Sequence, residues 1–135
     1  MKILINIIAV ILGVLIGGIV NMLIINYGPT VIPNPEGFLN ANMDEMLQTI
    51  HLLEPKHYLI PWLAHAIGTF VGAVIAFKIA KTKQFYMAIT VSVFFFIGGL
   101  IMIVSIPSPI WFTMVDLGFA YIPMAWLARK IFSKS

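Results

Sequence analysis

The chain is short, apolar and poor in charge. It has 135 residues, of which 61% are hydrophobic and 10% are charged, and its mean hydropathy is +1.02. A soluble domain has about 25% charged residues, so a water-soluble fold is excluded. The sequence contains no cysteine, which excludes disulfides, thiolate metal ligands and cysteine nucleophiles. The net charge of +3 is explained by membrane orientation, and we expect no nucleic-acid partner.

Four apolar segments are each long enough to cross a bilayer, because about 20 helical residues span a hydrocarbon core about 30 Å thick. We predict spans over residues 3–26, 57–80, 85–105 and 110–132, each bounded by proline, glycine or charge. The expected fold is an all-α polytopic membrane protein in which residues 1–135 form a single four-helix domain in the lipid bilayer. Pro123 removes the donor for the Phe119 carbonyl, which predicts a kink in the fourth span.

The charged residues are sorted between the two ends of these spans. Basic residues concentrate at one set of ends, leaving only Lys56 at the other: Lys2, Lys78, Lys81, Lys83, Arg129, Lys130 and Lys134. Lysine and arginine are enriched in cytoplasmic loops, so both termini are predicted to be cytoplasmic, in a membrane of the bacterial inner-membrane type. All acidic residues and all histidines then fall in the outer half.

The loop over residues 27–56, between the first two spans, is the long connection of the chain. Its first part, residues 27–37, contains three prolines and two glycines and is expected to be extended or turning. Apolar residues then recur at helical spacing, which predicts an outer amphipathic helix over about 42–54. Asn42 and Glu45 have the spacing of a capping box, and Pro55 ends the helix. Its polar face lacks lysine and arginine, so we expect it to lie across the outer ends of the spans.

Small residues recur every four positions along the first two spans. The first seam contains Ala9, Gly13, Gly17 and Asn21, and the second contains Ala64, Gly68, Gly72, Ala76 and Ala80. Close backbone approach along such seams stabilises helix pairs in lipid. The seams predict a contact within one bundle or, alternatively, a homo-oligomer interface.

Polar residues from three spans are predicted to share one layer in the outer half. Asp116 and His65 lie about 9 and 12 Å below the outer ends at 1.5 Å per residue, and Asn21 reaches a similar depth. A carboxylate inside a span must face the interior and find a partner, and His65 is the candidate. Thr69 lies one turn from His65 and Thr113 one turn from Asp116, so we expect all five residues to line an outward-facing pocket.

A second group of residues offers a different chemistry. His51, Glu54, His57, His65 and Asp116 supply imidazole and carboxylate ligands of the kind that bind a divalent transition metal such as zinc, iron, manganese or copper(II). Residues 54–57 match Glu-x-x-His, but Pro55 breaks the helix on which that motif would present both ligands.

Three functions follow from these patterns. The favoured one is a pocket at Asp116 and His65 that binds or transports a small solute, ion or lipid. The first alternative is a metal-binding membrane protein or metal-dependent membrane enzyme that uses His51, His57, His65 and carboxylates. The second is a structural or assembly subunit, in which Asp116 only fixes helix register. Ser105 and Ser108 lie outside a Gly-x-Ser-x-Gly turn, so we expect binding rather than catalysis.

Overall fold

The structure is a computed structural model that describes residues 1–133, and within these residues it is all-helical. The α-helices are α1 (Lys2–Tyr27), α2 (Met43–Thr49), α3 (Leu59–Ile79), α4 (Gln84–Ser105), α5 (Ile110–Phe119) and α6 (Ile122–Phe132). Short 3₁₀ turns cover Gly28–Thr30, Ile50–Leu52 and Pro55–Tyr58. The predicted all-α class is confirmed.

Four stretches of these residues are long and apolar enough to cross a membrane. They cover Lys2–Thr30, Pro55–Ile79, Gln84–Ser105 and Ile110–Phe132. The predicted span boundaries agree with them closely, because hydropathy and helix-ending residues change at the same positions. Large apolar side chains such as Ile3, Leu15 and Val104 are left uncovered by protein, as a lipid-facing surface requires.

The fourth span is a broken helix made of α5 and α6. Pro123 has no N–H and cannot bond to the Phe119 carbonyl. The last α5 bond runs from the Ala120 N–H to the Asp116 carbonyl at 3.0 Å, and the Met124 N–H bonds to the Tyr121 carbonyl at 3.0 Å. The predicted kink is therefore a full interruption at Ala120 and Tyr121.

Helices α1 and α3 pack glycine against glycine. A Cβ added to Gly13 would lie 2.6 Å from the Gly72 carbonyl oxygen, and one added to Gly72 would lie 2.6 Å from the Gly13 carbonyl oxygen. Gly17 and Gly68 face each other in the same way. Both seams are used within one chain, so an oligomer that formed through them would require the α1–α3 contact to open.

One end of the bundle, which we call the basic end, carries the N-terminus, the α3–α4 turn and the end of α6. The Asn6 amide bonds to this turn, with Nδ2 3.0 Å from the Thr82 carbonyl and Oδ1 2.9 Å from the Lys81 N–H. Lys78 Nζ lies 4.3 Å from the centre of the Phe132 ring. The described basic residues other than Lys56 therefore gather at this end, and Lys134 lies outside the described residues.

The opposite end, which we call the loop end, carries residues 28–58. Helix α2 has one half of the predicted capping box: Asn42 Oδ1 accepts a hydrogen bond from the Glu45 N–H at 2.9 Å, but among the described residues the Glu45 side chain does not bond back to the Asn42 N–H. The α-helix is shorter than the predicted 42–54, since it ends at Thr49 and continues only as the 3₁₀ turn at Ile50–Leu52. Thr49 Oγ1 also bonds to the Leu39 N–H at 3.0 Å, which ties α2 to the preceding segment.

Candidate functional site

The predicted partners Asp116 and His65 are in direct contact, and a tyrosine completes the group. Asp116 Oδ1 lies 2.8 Å from His65 Nδ1, and Tyr121 Oη donates to Asp116 Oδ2 at 2.8 Å. Tyr121 Oη also lies 3.0 Å from His65 Nδ1. We call these three residues the polar triad. Each oxygen of the buried carboxyl group therefore has a partner, which satisfies the requirement for an acid inside a span.

The three residues of the polar triad differ in solvent exposure. Asp116 and Tyr121 are each 1% exposed, whereas the His65 side chain is 18% exposed. The imidazole is thus the part of the triad that a ligand could reach, and the other two residues hold it in place. The His65 and Tyr121 rings are stacked, with their centres 5.7 Å apart, which further fixes the plane of the imidazole.

Tyr121 was not among the predicted site residues. It occupies the interruption between α5 and α6, so it does not continue the helical face that Asp116 defines. Its hydroxyl fits because residue 99 has no side chain: a Cβ at Gly99 would overlap with the Tyr121 hydroxyl. Pro123, two residues later, was the sequence signal for this interruption.

A large cavity lies above the polar triad in the half of the bundle nearer the loop end. Its volume is about 710 Å³, and all three triad residues line it. The walls come from the spans and are mainly apolar, including Ile25, Ile60, Phe95, Met102, Ile106 and Phe112. The loop contributes Met46, Ile50 and Leu53, which are on the apolar face of the predicted amphipathic helix.

The remaining predicted pocket residues divide into one that lines the cavity and two that do not. Asn21 lines it from α1. Thr69 is fully buried away from the cavity, and its hydroxyl has no partner among the described residues. Thr113 Oγ1 lies 3.1 Å from Ser108 Oγ, so it closes the turn before α5 rather than contacting Asp116.

The predicted metal ligands do not converge on one site: His65 contacts Asp116, and His57 contacts Glu54 in a separate turn. Across residues 1–133, no group of three or more histidine, cysteine, aspartate or glutamate side chains is placed to hold a metal ion. His57 Nδ1 instead accepts the Glu54 N–H at 2.8 Å, and these two residues form a reciprocal capping box around Pro55. The Glu-x-x-His spacing therefore stabilises a turn through these two side chains. His51 is exposed on the loop.

A second depression, of about 560 Å³, lies against the loop end. Ile32, Asn34 and His57 line both this depression and the large cavity. Glu54 and Lys56, which form an exposed ion pair at 3.2 Å, also line it. The large cavity and the second depression therefore share part of their walls at these three side chains.

Comparison with protein-family models, with curated proteins and with solved structures gives no match for this chain. The polar triad and the large cavity are the features of this chain that bear on its function. These two features supply a reachable imidazole, a buried acid that orients it, and an apolar space large enough for a small organic molecule.

Proposed function

We propose that the protein binds a membrane-dissolved amphiphile in the large cavity. The polar headgroup would lie against His65 and Asn21, and the hydrocarbon chain against the apolar walls. The observation that carries this proposal is that one cavity combines a polar triad at its deep end with apolar walls from the spans. Binding sites for small organic molecules have this composition and volumes of about 300–1,000 Å³.

The cavity suits an amphiphile better than an ion. An ion site needs several converging charged or polar ligands, whereas both oxygens of Asp116 are already bonded to His65 and Tyr121. Towards the basic end the interior is filled by a cluster of Ala73, Phe77, Ala88, Ala125 and Ala128. The geometry therefore supports binding and release from the loop end.

We propose that the loop end faces outward from a bacterial-type inner membrane, because basic residues mark the cytoplasmic side. The absence of cysteine from the sequence allows a clean test with single-cysteine variants. In intact cells, Gln48→Cys on α2 should react with a membrane-impermeant maleimide, and Ser133→Cys after α6 should react only after lysis. The reverse pattern would refute this orientation.

The amphiphile proposal is tested by filling the cavity. Gly98 lines the cavity, and a Cβ added there would have no atom within 4 Å. We expect Gly98→Leu to abolish crosslinking of the cavity by a long-chain alkanol that carries a photoreactive diazirine, measured in nanodiscs by peptide mapping. The hydroxyl of this probe both donates and accepts hydrogen bonds, so labelling does not depend on the polarity of the site.

The matched control is Gly18→Leu on α1. A Cβ at Gly18 also has no atom within 4 Å, but Gly18 does not line the cavity. This variant should be labelled like the wild type. Equal labelling of both variants, or labelled peptides that exclude the cavity walls, would overturn the proposal and favour a structural role for Asp116.

A further inference from the structure

Helices α1 and α4 pack closely over only part of their length. A Cβ added to Gly13 would lie 2.9 Å from Val91 Cγ2, and one added to Gly17 would lie 2.9 Å from Phe95 Cζ. Further along α4 towards the loop end, a Cβ added to Gly98 would meet no atom within 4 Å, although Gly98 lines the large cavity. The close contact that Val91 and Phe95 make with α1 is therefore not continued at Gly98.

Beyond Phe95, residues on both helices border the cavity and are exposed at the same time. Ile101 and Met102 on α4 are 60% and 45% exposed, and Ile25 on α1 is 40% exposed. All three line the cavity, as does the exposed Gly98. A residue has both properties where a cavity opens at the protein surface. We call the opening bordered by Ile25, Gly98, Ile101 and Met102 the α1–α4 gap.

The α1–α4 gap lies at the depth of the lipid chains. Gly98 precedes the end of α4 at Ser105 by seven residues, which is about 10 Å at 1.5 Å per residue. Half of a hydrocarbon core is about 15 Å thick. The four residues that border the gap belong to spans and are uncharged. The gap therefore faces the hydrocarbon of the leaflet on the side of the loop end.

At the loop itself the cavity meets a different surface. Asn34 and Asn40 line the cavity there and are exposed, so a path through the loop leads past polar groups into water. His65 lies about 12 Å below the ends of the spans, which places a headgroup bound to it at the depth of hydrocarbon. A chain attached to that headgroup avoids contact with water if it leaves sideways, and exposing it to water through the loop would be unfavourable.

We propose that the α1–α4 gap is the passage between the cavity and the bilayer, and that the chain of the bound amphiphile extends through it into the lipid. The ligand class is then a long-chain lipid of the leaflet at the loop end, whose chain need not fit inside the cavity. This inference rests on the proposed function, because it specifies the ligand of the same cavity. Binding and release at the loop end then occur from lipid rather than from water.

The first test compares two isoprenoid alcohols with the same hydroxyl headgroup. Farnesol is short enough for the cavity to hold, whereas the much longer tail of solanesol exceeds it. Each competes with the diazirine alkanol for the wild-type protein in nanodiscs, at concentrations expressed per lipid. We expect solanesol to displace the alkanol at a concentration no higher than farnesol requires, because its tail lies outside the cavity.

The outcomes of this comparison separate the two proposals. Displacement by farnesol but not by solanesol would overturn the passage, because the cavity would then have to enclose its ligand, and the proposed function would be unaffected. A cavity that the alkanol never labels, or from which neither alcohol displaces it, would instead refute the proposed function.

The second test narrows the gap from α4. Ile101→Trp enlarges a side chain that borders the gap. Ile97→Trp is the matched control, because Ile97 lies on the same helix and is 48% exposed but does not line the cavity. We expect Ile101→Trp to raise the concentration of solanesol needed for displacement about ten-fold relative to that of farnesol, because the added volume obstructs only the longer tail.

The ratio of the two concentrations is the measured quantity, so a general loss of alkanol binding does not affect it. Ile97→Trp should leave this ratio at its wild-type value. The same ratio in the Ile101→Trp and Ile97→Trp variants would overturn a passage beside Ile101.

A third test narrows the gap from α1. Ile25→Trp should raise the ratio in the same direction as Ile101→Trp. Leu23→Trp is its control, because Leu23 is 49% exposed on the same helix but does not line the cavity. An effect of Ile101→Trp without any effect of Ile25→Trp would show that the chain leaves along another face of α4, and the passage between α1 and α4 would be wrong.

Discussion

The half of the bundle near the basic end and the half near the loop end are built from different side chains. Towards the basic end, α1 and α3 meet through Gly13 and Gly72, and α3, α4 and α6 meet through fully buried alanines. Towards the loop end the fourth span breaks at Ala120 and Tyr121, and a cavity of about 710 Å³ remains. Small residues let backbones approach closely in lipid. A closely packed, closed half therefore supports an open half with a cavity lined in part by polar groups, as the proposed amphiphile site requires.

The largest expected effect comes from a substitution that disrupts the α1–α3 contact in the closed half. Gly13→Ala places a methyl group 2.6 Å from the Gly72 carbonyl oxygen, and a backbone atom cannot move aside as a flexible side chain can. We expect a loss of about 3 kcal/mol in the free energy of unfolding, measured by denaturant titration in micelles. Gly18→Ala is the control on the same helix, because its Cβ would meet nothing within 4 Å. Equal stability of the two variants would contradict the close α1–α3 contact.

A smaller effect is expected in the open half. Gly99→Ala would push the Tyr121 hydroxyl away from Asp116, whereas Gly98→Ala enters open space. We expect Gly99→Ala to cost about 1–2 kcal/mol of unfolding free energy and Gly98→Ala to change it by less than about 0.5 kcal/mol.

The Gly99 effect can be assigned to the hydroxyl by a double-mutant cycle. In a Tyr121→Phe background the hydroxyl is absent, so the cost of Gly99→Ala should fall measurably below its cost in the wild type. An unchanged cost would show that Gly99 does not act by accommodating this hydroxyl. The triad would then depend on helix packing in general.

The sequence predicts the spans and the Asp116–His65 pair well, for two physical reasons. Hydropathy sets where a helix can cross a bilayer, and a buried acid has few partners available in a chain with so little charge. His65 was the one histidine placed deep enough to meet Asp116. The cap at Asn42 is equally local, so its three-residue spacing to Glu45 was enough to predict it.

The rest of the site depends on contacts that spacing does not encode. The sequence groups Thr113 with Asp116 because they share a helical face, but the turn before α5 offers Ser108 as a nearer partner. Thr69 shares a face with His65 but lies below the cavity, inside the packed helices. Tyr121 joins the triad only because the helix stops before it and Gly99 leaves room opposite. This contact arises from the tertiary fold, and no periodic pattern in the sequence indicates it.

The contact between Asn6 and the α3–α4 turn has a consequence for biosynthesis. Asn6 bonds to Lys81 and Thr82, which follow it by 75 and 76 residues, and the glycines that face α1 also lie in α3. Helices enter a bilayer individually before they associate. The first span must therefore stay in the membrane, with its glycine face exposed to lipid, until α3 has been synthesised and inserted. Because α3 is the second span, the α1–α3 pair can form before α4, α5 and α6 are complete, and any factor that shields the glycine face of α1 would act before that pair exists.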